Sequence, residues 1–191
     1  MGRLIVLMGA DAVGKTSVAA ELAKLLGAPV RKTPGPAFDG LRVLAEDVTP
    51  YLRYCFYMAT VGMTAKEIPE LIDCCDVIFD RYIQCTAAFH HALGVEIPDK
   101  VWELTGVPEP TLSVHLTVSP KVACERIKAR PHGSRPDSQI EANAGLQRQV
   151  VEAYRTLFSG NEVPKGFRPV EISTDGKTPR EVALEIFGLL S

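Results

Sequence analysis

Residues 9–16 read Gly-Ala-Asp-Ala-Val-Gly-Lys-Thr and match G-x-x-x-x-G-K-[ST]. No other segment restricts the fold as tightly, because this pattern works only on the turn from a buried strand into a helix. Both neighbours are present. Leu4-Ile5-Val6-Leu7-Met8 is a continuous apolar run, as in a strand covered on both faces. Val18, Leu22, Leu25 and Leu26 recur on one helical face, and Gly27 stands where the helix would be capped. In that setting the glycines let backbone N–H groups wrap a phosphate, and the helix N-terminus adds its positive end. The candidate phosphate- and ATP-binding set is Gly9, Ala12, Val13, Gly14, Lys15, Thr16 and Ser17, with Lys15 bridging the β- and γ-phosphates and the Thr16 hydroxyl on Mg²⁺.

Downstream, strands and helices alternate. Strands are predicted over 28–32, at Val77-Ile78-Phe79, over 112–118 and over 169–172. Helices are predicted to open at Thr49-Pro50, with Leu52, Phe56 and Ala59 on one face, and to span 82–93. Others start at Ser119-Pro120, carry Leu146, Val150, Tyr154, Leu157 and Phe158, and open at Thr178-Pro179 with a capping box to Glu181. Thr64 and Glu67 also fit a capping box, although Pro69 would interrupt any helix that ran through it. The alternation implies a parallel sheet with helices on both faces, a three-layer α/β fold. At 191 residues, positions 1–191 are expected to form one domain.

The charge balance, 21 Lys+Arg against 23 Asp+Glu, supplies no basic field for a nucleic acid. The apolar run at 4–8 is too short for a membrane span, so no membrane partner is expected. The five cysteines form no C-x-x-C pair, which points to a reduced chain in the cytoplasm.

Asp80-Arg81 closes the second central strand and should emerge at the carboxyl edge of the sheet beside the phosphate loop. There Asp80 can hold Mg²⁺ through water and Arg81 can fork onto an anionic acceptor. Arg126 and Arg130 share a helix face, and Arg135 follows in a polar break, an arrangement suited to cancelling charge on a transferring phosphoryl group.

Taken in order, these segments resemble the thymidylate kinase family of P-loop nucleoside monophosphate kinases. The resemblance rests on the loop GADAVGKT, on Thr33-Pro34-Gly35 where the family has E-P-G-G, and on Ile68-Pro69-Glu70-Leu71 before Asp80-Arg81-Tyr82. It extends to Val118-Ser119-Pro120 with Arg126 and Arg130, and to a lid-like stretch from Ser134 to Glu141. It implies a five-stranded parallel sheet, ATP and Mg²⁺ as cofactors, a small-molecule nucleotide substrate, and a homodimer. It also implies that Arg81 holds the acceptor phosphate, that Asp11 approaches the acceptor, and that Arg126 lies against adenine. Because the loop interior is Ala12-Val13, Arg130 and Arg135 are the implied catalytic arginines, beside Lys15 and Asp11.

The acceptor positions depart from the family pattern. Val61 stands for a base-contacting arginine and His90 for an amide, while Phe56 and Phe89 remain as rings on which a base can stack. The expected acceptor is therefore a monophosphate other than dTMP. Two further readings stay open at this level: a kinase for a nucleoside or other small hydroxyl, with Asp11, Asp39 or Glu46 as base, and a non-catalytic nucleotide-dependent switch.

Overall fold

The computed structural model describes residues 1–129 and 144–190. Five strands, β1 (Leu4–Met8), β2 (Val30–Lys32), β3 (Val77–Asp80), β4 (Leu112–Thr117) and β5 (Pro169–Ser173), pair in the order β2-β3-β1-β4-β5. All four pairings are parallel. β1 lies at the centre and is buried along its whole length, which is why its sequence is apolar without alternation.

Helix α1 (Lys15–Leu26) packs on one face through Val18, Ala19 and Leu22, against Val182 and Ile186 of α9 (Pro179–Gly188). The other face is covered by α3 (Pro50–Ala65), α4 (Ile68–Cys74), α5 (Ile83–Ala92) and α8 (Ala144–Phe158), which bury Val61, Ile68, Ile83 and Tyr154. Helices α2 (Asp39–Glu46), α6 (Val101–Thr105) and α7 (Pro120–Lys128) complete the described set. The predicted five-stranded three-layer architecture is the one observed.

Local capping accounts for several helix starts. Thr49 accepts from the Leu52 N–H, and Thr178 and Glu181 form the reciprocal box read from the sequence. The box expected at Thr64 does not form. Its hydroxyl donates back to the Thr60 carbonyl at 2.8 Å, and α4 starts afresh at Ile68 with proline in its first turn.

The rotation of α3 is set by the tertiary fold. Of the residues that share the apolar face, Leu52 and Ala59 are exposed and Phe56 is half-buried. The side turned to the protein carries Arg53, Tyr54, Thr60 and Val61 instead. Apolar periodicity fixed the helix but not its rotation, because α3 borders a polar cleft and its apolar stripe faces outward.

Candidate active site

Parallel topology brings the carboxyl ends of β1, β3 and β2 side by side, and the functional loops leave from there. The turn after β1 needs its glycines. A Cβ on Gly9 would sit 2.3 Å from the Leu116 carbonyl oxygen, and Gly9 has φ of 138°, so the loop can press against β4 only without a side chain. Gly14, at φ 93°, then starts α1.

Lys15 is 6% exposed, and its Nζ donates to the carbonyls of Gly9 and Ala10 at 3.0 and 2.7 Å. The ammonium is thereby folded back over the loop that its phosphate ligands would fill. Burial pushes its pKa down to about 8, helped by the Arg81 charge and opposed by Asp80 and Asp11. Phosphates would restore the charged form, so ATP affinity is expected to be highest below pH ~8 and to fall as the pH rises through it, with proton uptake on binding. Calorimetry of ATP-Mg²⁺ binding at pH about 8.5, in two buffers of different ionisation enthalpy, checks this. Heats independent of the buffer would contradict it.

Thr16 donates to Asp80 Oδ2 at 2.8 Å, and Asp80 Oδ1 is buried with no hydrogen-bond partner. A hydroxyl and a carboxylate oxygen, with one lone-pair set unused, suit a hard cation held through water. Among the described residues no three His, Cys, Asp or Glu side chains cluster to hold a metal, so its remaining ligands would be phosphate and water.

Arg81 follows Asp80 with φ of 76°, an unusual conformation for a side chain of its size. Its N–H donates to the Leu7 carbonyl at 2.9 Å and its carbonyl accepts from the Thr33 hydroxyl at 2.9 Å. Thr33 is thus a buried brace for Arg81, which lines the cleft. Thr33→Val removes one buried hydrogen bond and is expected to cost about 1 kcal/mol of stability and to raise acceptor KM several-fold. Thermal unfolding together with steady-state kinetics checks both, and an unchanged KM would show that Arg81 needs no brace.

Two clefts meet at this point. Asp11, Ala12, Gly14, Lys15, Thr16, Ser17 and Asp80 line the first, and Lys32 and Arg81 lie at its edge. Lys32 and Arg81 also begin the second, a cleft that continues past Arg42 to Arg53, Tyr57, Phe89 and His90. At its far end Arg53 is 6% exposed, donates to Glu46 at 3.1 Å, and lies 5.5 Å from the Phe89 ring centre and 5.7 Å from that of Tyr57. His90 packs edge-on to Tyr54 and Phe89, and its Nδ1 bonds the Thr86 carbonyl at 2.8 Å. Burial lowers the His90 pKa to about 4, so the ring is neutral.

The structure therefore brings together the phosphate loop, Asp11, Asp80, Arg81, Phe89 and His90. Arg126 sits at the loop's outer side, donating to the Ala12 carbonyl at 3.2 Å and to the Thr174 hydroxyl at 2.9 Å. Two acceptor positions are corrected. Val61 is 1% exposed in the apolar core and Phe56 is absent from the cleft lining, where its neighbour Tyr57 stands instead. Lys32, Arg42 and Arg53 line the cleft but were not singled out from the sequence, which offers no local pattern for them. Arg130 and Arg135 lie outside the described residues.

A sequence model of the family described as thymidylate kinase matches residues 7–164. A probable thymidylate kinase of Pyrobaculum calidifontis is 33% identical over 97% of this chain and 94% of its own. Human mitochondrial UMP-CMP kinase 2 is 28% identical over 81% of this chain and 37% of its own. In fold, the thymidylate kinase of Candida albicans superposes with a TM-score of 0.76 at 20% identity, over 99% of this chain and 91% of that one.

Proposed function

Because the chain belongs to the thymidylate kinase family, we propose that it transfers the γ-phosphoryl group of ATP to the phosphate of a pyrimidine nucleoside monophosphate. The observation that carries this reading is the meeting of the two clefts at Lys32 and Arg81. One cleft has the form of a triphosphate cradle. The other carries Lys32 and Arg81 where it joins the first, and the rings of Tyr57, Phe89 and His90 with the Arg53 guanidinium at its other end, which suits a monophosphate with a planar base. The relatives' names also point to pyrimidine acceptors.

An acceptor phosphate oxygen is already anionic near neutral pH, so it attacks the γ-phosphorus without a general base. The bond to that oxygen forms as the bond from the γ-phosphorus to the bridging oxygen breaks, and the electron pair leaves with ADP. The protein's part is to position the groups and cancel charge. Lys15 would span the β- and γ-phosphates, the backbone N–H groups of the loop would surround them, and Arg81 with Lys32 would grip the acceptor phosphate. Thr16 and Asp80 would hold Mg²⁺, which when bound neutralises phosphate charge.

A hydroxyl acceptor fits less well. Thr33 stands where such chemistry would use a carboxylate, Asp39 lies 3.7 Å from Arg42, and Glu46 is paired with Arg53, which leaves Asp11 on the phosphate side as the remaining candidate base. ADP release from ATP-Mg²⁺ in the presence of single nucleosides or nucleoside monophosphates tests the reading. Stimulation by pyrimidine monophosphates is expected. Stimulation by a nucleoside alone would make the protein a hydroxyl kinase, and stimulation by neither would make it a nucleotide-dependent switch.

The outward stripe of α3, with Tyr51, Leu52 and Met63 all more than half exposed, supports a homodimer as the working form. Its five unbridged cysteines suit the cytoplasm. Among the described residues no helix is long and apolar enough to cross a membrane.

A further inference from the structure

Two buried polar atoms at the aromatic end of the second cleft have no hydrogen-bond partner, Arg53 Nε and His90 Nε2. Each belongs to a side chain more than nine-tenths buried that lines the cleft. Leaving such atoms unpaired costs free energy, so a pair of them in one cleft indicates groups that a ligand completes. Their polarities are fixed. Guanidinium nitrogens only donate. His90 Nδ1 faces the Thr86 carbonyl, which only accepts, so in the neutral ring Nδ1 carries the hydrogen and Nε2 presents a lone pair. The cleft's far end therefore offers one donor and one acceptor.

We propose that Arg53 and His90 together read the base of the acceptor nucleotide, by hydrogen-bonding an edge on which an acceptor adjoins a donor. This rests on the monophosphate kinase reading above. Pyrimidines carry such an edge at N3 and position 4, as a carbonyl beside a ring N–H in uracil and thymine, or as a ring nitrogen beside an amino group in cytosine. Glu46 holds the guanidinium from behind, and the Phe89 and Tyr57 rings flank it. Arg53 can then turn its free Nε to the ligand without losing its counter-charge. The arginine that the sequence lacks at Val61 is supplied two helical turns earlier on the same helix, so the acceptor site does not lack a cationic reader of the base. The expectation that dTMP is a poor acceptor loses one of its two grounds, and the other, His90, becomes an acceptor of a base N–H.

The test uses the wild-type protein with ATP-Mg²⁺ and dTMP, dUMP or dCMP, each beside its N3-methyl derivative, which blocks the edge in all three bases. N3-methylation of the best acceptor is expected to lower kcat/KM by about 100-fold or more, since a site built to hydrogen-bond a group rejects the analogue without it. Arg53→Met and His90→Leu should each bring the ratio of parent to methylated acceptor to within about tenfold, chiefly by weakening the parent. A ratio that survives both substitutions would mean steric exclusion and overturn the proposal. Should one variant fail to fold, the other and the wild-type ratio still decide. Turnover with several monophosphates at rates indifferent to base and methyl would overturn the Arg53-His90 reader while leaving the kinase reading intact. Absence of turnover with every monophosphate would remove the kinase reading itself.

Discussion

Lys15→Ala is expected to lower kcat by about 10³-fold or more while the protein stays folded. The lysine is the one side chain of the loop whose charge can follow the γ-phosphoryl group from donor to acceptor, so its loss appears in the transition state rather than in substrate binding alone. Its surroundings also predict the stability result. Burial disfavours the charged ammonium enough to lower its pKa to about 8, and among the described residues its hydrogen-bond partners are the Gly9 and Ala10 carbonyls of the loop. Removing a cation the fold does not favour should leave the melting temperature unchanged or higher. Steady-state ADP release paired with thermal unfolding separates the two effects. Near-normal transfer by a folded Lys15→Ala protein would remove the phosphate-loop assignment, and a collapse of the melting temperature would instead make Lys15 a structural residue.

How much of this site could be read before the fold was known depended on how local each signal is. The phosphate loop is legible because its chemistry, its glycines and its flanking elements lie within about twenty-five consecutive residues. Asp80-Arg81 is legible because a charged pair ending an apolar strand has only the sheet edge to emerge from. The capping box at Thr178 and Glu181 is equally local, whereas the similar pattern at Thr64 fails because α3 already runs through it.

The acceptor cleft shows the opposite case. Lys32, Arg42 and Arg53 come from three different elements and meet only through tertiary packing. Arg53 is hidden twice over, since a lone arginine in an apolar helix reads as solvated, and the shared face of Leu52, Phe56 and Ala59 does not say which side of α3 meets the chain. Hydrophobic pattern reports which residues leave water in the complete assembly, not which face of a helix meets its own chain. The same reasoning explains Val61. The resemblance to the family motif set it at the base-contacting position, but its apolar side chain follows the core face of α3 and joins the cluster that includes Ile68.

Arg81→Met is expected to raise KM for dTMP, dUMP and dCMP alike, by about 10- to 100-fold, because a hydrogen-bonded charge on the shared phosphate is lost and the base contacts are not. The placement is specific to this residue. Its backbone adopts a positive φ, held by Leu7 on one side and Thr33 on the other, and the side chain lies at the edge common to both clefts. A neutral chain of similar length keeps that packing, so the fold should persist. Arg81 also depresses Lys15, and its removal should move the lysine pKa upward from about 8 and carry the pH limit for ATP binding with it. KM for ATP at neutral pH should change little. The ratio between a pyrimidine monophosphate and its N3-methyl derivative should also survive, since that ratio belongs to Arg53 and His90. A KM effect confined to one base would move Arg81 from the phosphate to the base, and an effect on ATP equal to that on the acceptor would assign it to the donor site.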